Sequence, residues 1–258
     1  MYRDLLDALR CPRGHTEAWL VAMVHRVDGT RLLEAEISCP GCGAVFHVSD
    51  GIGDFREDGS GSPVTLASRA GNASSQLIAD PGSPAADSAA SPDPTRLAAM
   101  LGVMGGHNPV LLAGRYASVA DRYAALVGAP VVAIINDSDH DTRLAGHDGH
   151  TSINDETLHR LSLAQGVSAM RIGARLPLGV GTLAAAAIDS GQSDPLLLGS
   201  IARAIVVRGR LVAPVSLELP VEAQRTVREI ARDEQEWVAE VTIATRGLAT
   251  LRMRPPAV

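Results

Sequence analysis

The 258-residue chain contains no lysine, so arginine supplies all of its fixed positive side-chain charge. Schiff-base catalysis and a phosphate-binding loop built on lysine are excluded by inspection. Aromatic residues make up only 3% of the chain, and Trp19 and Trp237 are expected to be spent on burial, as core or inter-domain anchors. No apolar run reaches the ~18 residues of a membrane-spanning helix. The opening Met1-Tyr2-Arg3-Asp4 leads into an amphipathic segment rather than a secretory leader. A cytoplasmic protein with no membrane partner is the expectation. Surplus positive charge is missing too: the net charge of −6 argues against nucleic acid as the main partner.

Cysteine is confined to three positions, all in the first 42 residues. Cys39-Pro40-Gly41-Cys42-Gly43 is a Cys-x-x-Cys knuckle whose glycine lets two thiolates turn onto one ion. Cys11 and His15, in Cys11-Pro12-Arg13-Gly14-His15, would close the tetrahedron from a second knuckle. In a reducing compartment an odd, clustered set of thiols points to a metal rather than to disulfides. The candidate zinc ligands are therefore Cys11, His15, Cys39 and Cys42, with His25 and His47 as weaker alternatives to His15 because each sits in a predicted strand.

Around these ligands the pattern is helix, knuckle, hairpin, knuckle. Leu5, Leu6 and Leu9 recur at helical spacing, Trp19 to Val24 and Arg31 to Ile37 read as strands about a turn at Asp28-Gly29, and Ala44 to Val48 is one more strand. The ribbon is expected to span residues 1–56. Residues 57–94, rich in Gly, Ser, Ala, Pro and Asp, cannot bury enough surface to offset their ordering entropy and read as a linker. From 95 to 258 helices alternate with apolar strands. Strands are expected at Pro109–Ala113, Val131–Ile135, Ser168–Ile172, Leu183–Ile188 and Arg210–Val215, and helices at Arg96–Met104, Val119–Val127, Pro195–Ile205 and Val221–Arg232. Strands near Trp237–Ala244 and Leu248–Met253 would form a closing hairpin. The fold class is α/β: a Rossmann-like, doubly wound, mostly parallel sheet with an antiparallel C-terminal hairpin, preceded by a small zinc ribbon. Arg225 with Glu229, and Arg228 with Arg232, are read as the solvated face of the last helix.

The N-terminal segments Leu5-Leu6-Asp7-Ala8-Leu9-Arg10-Cys11-Pro12, Cys39-Pro40-Gly41-Cys42 and Asp50-Gly51-Ile52 resemble the Trm112-like zinc ribbon. That family usually places the second ligand of its first knuckle where Gly14 stands, and His15 is the nearest substitute. The remainder resembles a class I S-adenosylmethionine-dependent methyltransferase domain through Gly173-Ala174-Arg175-Leu176-Pro177-Leu178, Gly181-Thr182-Leu183-Ala184-Ala185-Ala186, Ile201-Ala202-Arg203-Ala204 and Arg208-Gly209-Arg210-Leu211-Val212. The resemblance implies a structural zinc ion, and as partner a methyltransferase domain or a second copy of the chain.

The cofactor positions depart from that family. Leu112 stands where an acidic residue is expected. Only Gly114 remains of the glycine turn, which normally lets backbone approach the ligand. Arg115 and Tyr116 add bulk, Gly173 replaces the acid that would contact adenine, and Thr182-Leu183 replaces a Phe-Asp pair. Gly114 and Asp137, or its neighbour Asn136, are the residues left to hold a cofactor. Losing two or three charged hydrogen bonds, each worth about 1.5–3 kcal/mol, would weaken binding by orders of magnitude. S-adenosylmethionine is thus disfavoured, and a non-catalytic binding or scaffold protein is expected; the alternative is an active methyltransferase with an altered loop, acting on RNA or a small metabolite. His140, His147 and His150, with the surrounding aspartates, form a further loop that could serve as a metal or general-base cluster.

Overall fold

The computed structural model describes residues 1–15, 18–56, 91–136 and 153–243. Its strands are β1 (Val21–Asp28), β2 (Arg31–Ser38), β3 (Val45–Ser49), β4 (Ile52–Phe55), β5 (Val110–Ala113), β6 (Val131–Asn136), β7 (Val167–Ile172), β8 (Leu183–Ala187), β9 (Ile205–Pro214), β10 (Val227–Arg232) and β11 (Glu236–Val241). The helices are α1 (Pro94–Leu101), α2 (Ala120–Val127), α3 (Ile153–Leu163), α4 (Pro195–Ala204) and α5 (Val221–Gln224), with a 3-10 helix at Arg3–Ala8. Among the described residues no helix is long and apolar enough to cross a membrane.

All the strands belong to one 11-stranded sheet in the order β1-β2-β3-β4-β7-β6-β5-β8-β9-β11-β10. From β4 through β9 neighbouring strands are parallel, while β1 to β4 form an antiparallel meander and β9, β11 and β10 pair antiparallel. The fold is α/β with a mostly parallel mixed sheet. Successive strand residues face opposite sides. Leu111, Ala113, Val132, Ile134, Met170 and Ala186 fall in one buried cluster, and Val110, Leu112, Val131, Ala133, Ala169 and Ala185 in the other. Helices α1, α2 and α3 line the second cluster, and α4 and α5 the first.

The N-terminal meander β1–β4 continues the parallel sheet directly. Strand β4 pairs with β7 from Ile52↔Ala169 to Phe55↔Ile172, so β7 is no longer an edge. Parallel strands of one sheet are usually joined by a crossover helix, but residues 173–182, which carry the chain from β7 past β6 and β5 to β8, contain none. The N-terminal 3-10 helix covers that face instead. Leu5 and Leu9 join the same cluster as Leu111 and Met170, Arg10 N–H donates to Pro177 O at 3.0 Å, and Gly179 N–H donates to Ala8 O at 2.9 Å. Arg31 of β2 sends its guanidinium to the carbonyls of Ser162 and Ala164, at the C-terminal end of α3, where a cation is favoured.

Several expectations are corrected. The helix expected at Val221–Arg232 stops at Gln224, and residues 227–232 form the edge strand β10. Its residues alternate in charge and are mostly exposed, a pattern that protects a sheet edge as well as it covers a helix. Arg225 and Glu229 therefore share no helix; Glu229 pairs with Arg232 at 2.7 Å and Arg228 with Glu240 at 3.5 Å. Strand β11 forms a hairpin with β10, and the strand expected at 248–253 lies outside the described residues. Strand β9 begins at Ile205 rather than at Arg210, because the residues before Arg210 join it through a bulge, with Arg208 at φ 69° and Gly209 passing close to Ala184 O. Trp237 is buried, donating to Leu217 O at 3.0 Å, but Trp19 is 59% exposed, its ring covered by the Arg10 guanidinium at 3.3 Å.

Leu9 is fully buried where ribbon and sheet meet. Leu9→Ala is expected to cost about 2–5 kcal/mol in denaturant unfolding. Fluorescence and far-UV circular dichroism transitions should stay coincident, and an early separate loss of the hairpin would contradict the continuity described above.

Candidate metal centre and the carboxyl edge of the sheet

The four residues singled out by their spacing converge. Cys11 and His15 lie on the loop after the 3-10 helix, Cys39 and Cys42 on the β2–β3 turn, and their ligand atoms all fall within 4.8 Å of one another. The turn is closed by Gly43 N–H to Cys39 O and Cys39 N–H to Ala44 O, both 2.8 Å, with Gly43 at φ 71°. Cys11 Sγ is 3.7 Å from Cys42 Sγ, and His15 Nε2 is 3.2 Å from Cys11 Sγ and 3.6 Å from Cys39 Sγ. Ligands of a tetrahedral zinc with ordinary bond lengths stand about 3.5–3.8 Å apart, so the donor set and spacing fit that ion. His25 and His47 are not in the group.

The thiols differ in acidity. Burial pushes the Cys11 thiol up. Burial opposes ionisation at Cys39 as well, but the backbone N–H groups of Cys42 and Gly41 and the neighbouring thiols outweigh it and hold Cys39 below its ordinary value. One thiolate is thus stabilised before any ion arrives, with further protons to be displaced by a metal.

Further along the sheet, the carboxyl ends of β5 and β8 adjoin at a topological switch point, the usual place for a ligand crevice in open α/β sheets. Here that place is filled. Gly114 follows β5 at φ 60°, and a Cβ on it would stand 2.6 Å from Asp189 Cβ and 3.0 Å from Gln192 Oε1. Asp189 and the buried Gln192 form a capping box after β8, and Arg115 N–H donates to Asp189 Oδ2 at 3.3 Å. Arg115 and Tyr116 both turn toward Glu236, the buried first residue of β11. Tyr116 donates to Glu236 Oε1, Arg115 Nη2 reaches the same oxygen at 2.9 Å, and Arg96 Nη2 lies 2.9 Å from Oε2.

Leu112 is fully buried in the α1–α2 side of the core, where a carboxylate would be desolvated. Asp137 lies outside the described residues, as do His140, His147 and His150. Sequence reasoning missed Asp189 and Glu236. Asp189 could have been found as the first polar residue at the carboxyl end of an alanine strand; Glu236 carries no local signal, because its partners are distant in sequence.

No family model matches the chain, and no curated protein matches it. Among solved structures it is similar to a geranyl diphosphate methyltransferase in complex with SAM, at 14% identity over 54% of this chain and 65% of that one, with a TM-score of 0.36. A second structure of that enzyme, with GPP and sinefungin, gives 18% identity over 46% and 42%, with a TM-score of 0.32. The chain thus spans less than two thirds of the length of this enzyme. A complex between the Haloferax volcanii Trm112 methyltransferase activator and a putative methyltransferase gives 12% identity over 57% and 88%, with a TM-score of 0.37.

Two predictions follow from the two sites. Purified protein should carry one zinc equivalent per chain by elemental analysis, and Cys39→Ser or Cys42→Ser should lose it together with several kcal/mol of stability, about 5–10 °C in Tm. An unchanged Tm in metal-free protein would exclude a structural ion.

The second concerns two buried tyrosines. Tyr116→Phe should cost about 1–2 kcal/mol through its charged partner, whereas Tyr123→Phe should cost nothing, because the buried Tyr123 hydroxyl has no hydrogen-bond partner. Burial raises both phenols, Tyr123 from 10.0 to about 12, with Glu236 adding to the rise at Tyr116. A raised folded value means that their contribution is complete below the unfolded value and lost as pH climbs from 10.0 through about 12. Unfolding measured across that window should show less alkaline loss in each Phe variant.

Proposed function

We propose that this protein is a divergent, non-catalytic methyltransferase-like protein that works as a binding or scaffold protein, its N-terminal Trm112-like ribbon held by a structural zinc ion. The observation that carries this reading is the occupied switch point. Gly114 rests on Asp189 and Gln192, and Arg115 and Tyr116 are anchored on Glu236, so a cofactor entering after β5 would have to displace a buried, charge-assisted network. Breaking such a pair strands a buried carboxylate, at about 3–5 kcal/mol, which sets binding energy against any ligand there.

In this reading the ribbon acts in cis. It supplies the edge strand for β7 and the cover over the helix-free crossover, and zinc holds the two knuckles that fix its shape. What it binds is a partner protein, such as a methyltransferase domain or a second copy, or a small ligand. The division into a ribbon over 1–56, a linker over 57–94 and a larger domain over 95–258 belongs to this proposal, as does a reducing cytoplasmic setting in which the thiols stay free to bind metal.

Isothermal titration of zinc-replete protein with S-adenosylmethionine and S-adenosylhomocysteine tests the reading. No heat of binding up to millimolar ligand is expected. Micromolar binding of either compound would overturn it in favour of an active enzyme with an altered loop.

A further inference from the structure

On the sheet face that carries α4 and α5, a groove of about 290 Å³ opens between the two helices. Arg175, from the crossover after β7, and Arg203, from the last turn of α4, both line it. Neither guanidinium has a hydrogen bond or an ion pair among the described residues, whereas Arg26, Arg96, Arg115, Arg160, Arg228 and Arg232 each hold a carboxylate. Glu222, the acid in the lining, lies beyond ion-pair distance of both.

The other polar groups of the groove are already committed. The Ser200 hydroxyl donates to Leu197 O at 2.7 Å and accepts from Leu176 N–H at 2.9 Å, and the Thr226 hydroxyl donates to Ala223 O at 2.8 Å. The N-terminus of α4 is capped by Asp194, which accepts from Leu196 N–H and Leu197 N–H. What remains uncommitted is two guanidinium forks, which are donors only and match the acceptor geometry of phosphate and carboxylate. Pro195, Leu196 and Ala223 add apolar wall for an organic body. The volume sits at the lower end of small-molecule sites, about 300–1,000 Å³, which selects a small ligand.

We propose that this groove is a binding site for a small organic anion carrying a phosphate or carboxylate group, with Arg175 and Arg203 as its anion-binding residues. Its lining includes none of Gly114, Arg115, Asp189 and Gln192. It adjoins the metal loop, because a Cβ on Gly14, the neighbour of His15, would lie 3.6 Å from the Arg175 guanidinium.

The test is calorimetric titration of the full chain at low ionic strength with inorganic pyrophosphate and, separately, with citrate. Saturable one-site binding of at least one probe is expected, weakened about tenfold by Arg175→Gln and by Arg203→Gln, the loss expected for one charge-assisted contact. Tm should not fall in either variant, since neither guanidinium has a partner to lose. Binding of pyrophosphate alone assigns the site to phosphate, and of citrate alone to carboxylate. If Arg175→Gln fails to fold, Arg203→Gln, at an exposed position, decides alone. No saturable heat with either probe up to about 10 mM, or unchanged affinity in the folded variants, overturns the proposal.

Discussion

The pairing of β4 with β7 is the contact on which the rest of the structure depends. Strand β7 is buried on both faces, as parallel strands are, and would otherwise leave a row of unpaired N–H and C=O groups at its outer edge. The ribbon satisfies that edge, and its 3-10 helix lies over the face that a crossover helix would ordinarily cover. In return, the N-terminal strands gain a hydrophobic floor, and small units bury little surface by themselves. Phe46, Val48, Phe55 and Leu9 share one buried cluster with Leu111, Met170 and Ile172.

Two places along the sheet then acquire different characters. The ribbon side carries a thiol–imidazole cluster with the spacing of a tetrahedral ion, supported by backbone turns rather than by packing alone. The carboxyl edge, where open α/β sheets normally leave a crevice, is filled by side chains from three distant segments. Glu236 makes this possible: its carboxylate draws Arg96, Arg115 and Tyr116 to one point. A single buried acid thereby fixes the start of β11, the turn after β5 and the base of α1.

Much of the sheet was legible in the sequence because short apolar runs bounded by Gly and Pro leave few alternatives. Even the alanine strand β8 was readable from its flanks. The Cys and His cluster was legible because the chemistry of such side chains is tied to spacing. What escaped was whatever depends on distant partners. Strand β4 reads locally as a turn, since Ile52-Gly53-Asp54-Phe55 has only one residue on each side to mark it, and becomes a strand by pairing with β7. Helix α3 buries Leu158 and Leu161 within a largely polar sequence, too thin a stripe to register. Strand β10 mimics a helix in its charges. Trp19 was expected inside because aromatics are rare here, but an arginine over its ring lets it remain at the surface.

Native-state hydrogen exchange as a function of denaturant tests the central claim most directly, by comparing the amides of Ile52–Phe55 with those of Val167–Ile172. If ribbon and sheet are one cooperative structure, both sets open with the same free energy and the same denaturant dependence. Exchange of the β4 amides through a separate opening of much lower free energy, with β7 still protected, would show that the ribbon is an independent module resting on a sheet that does not need it.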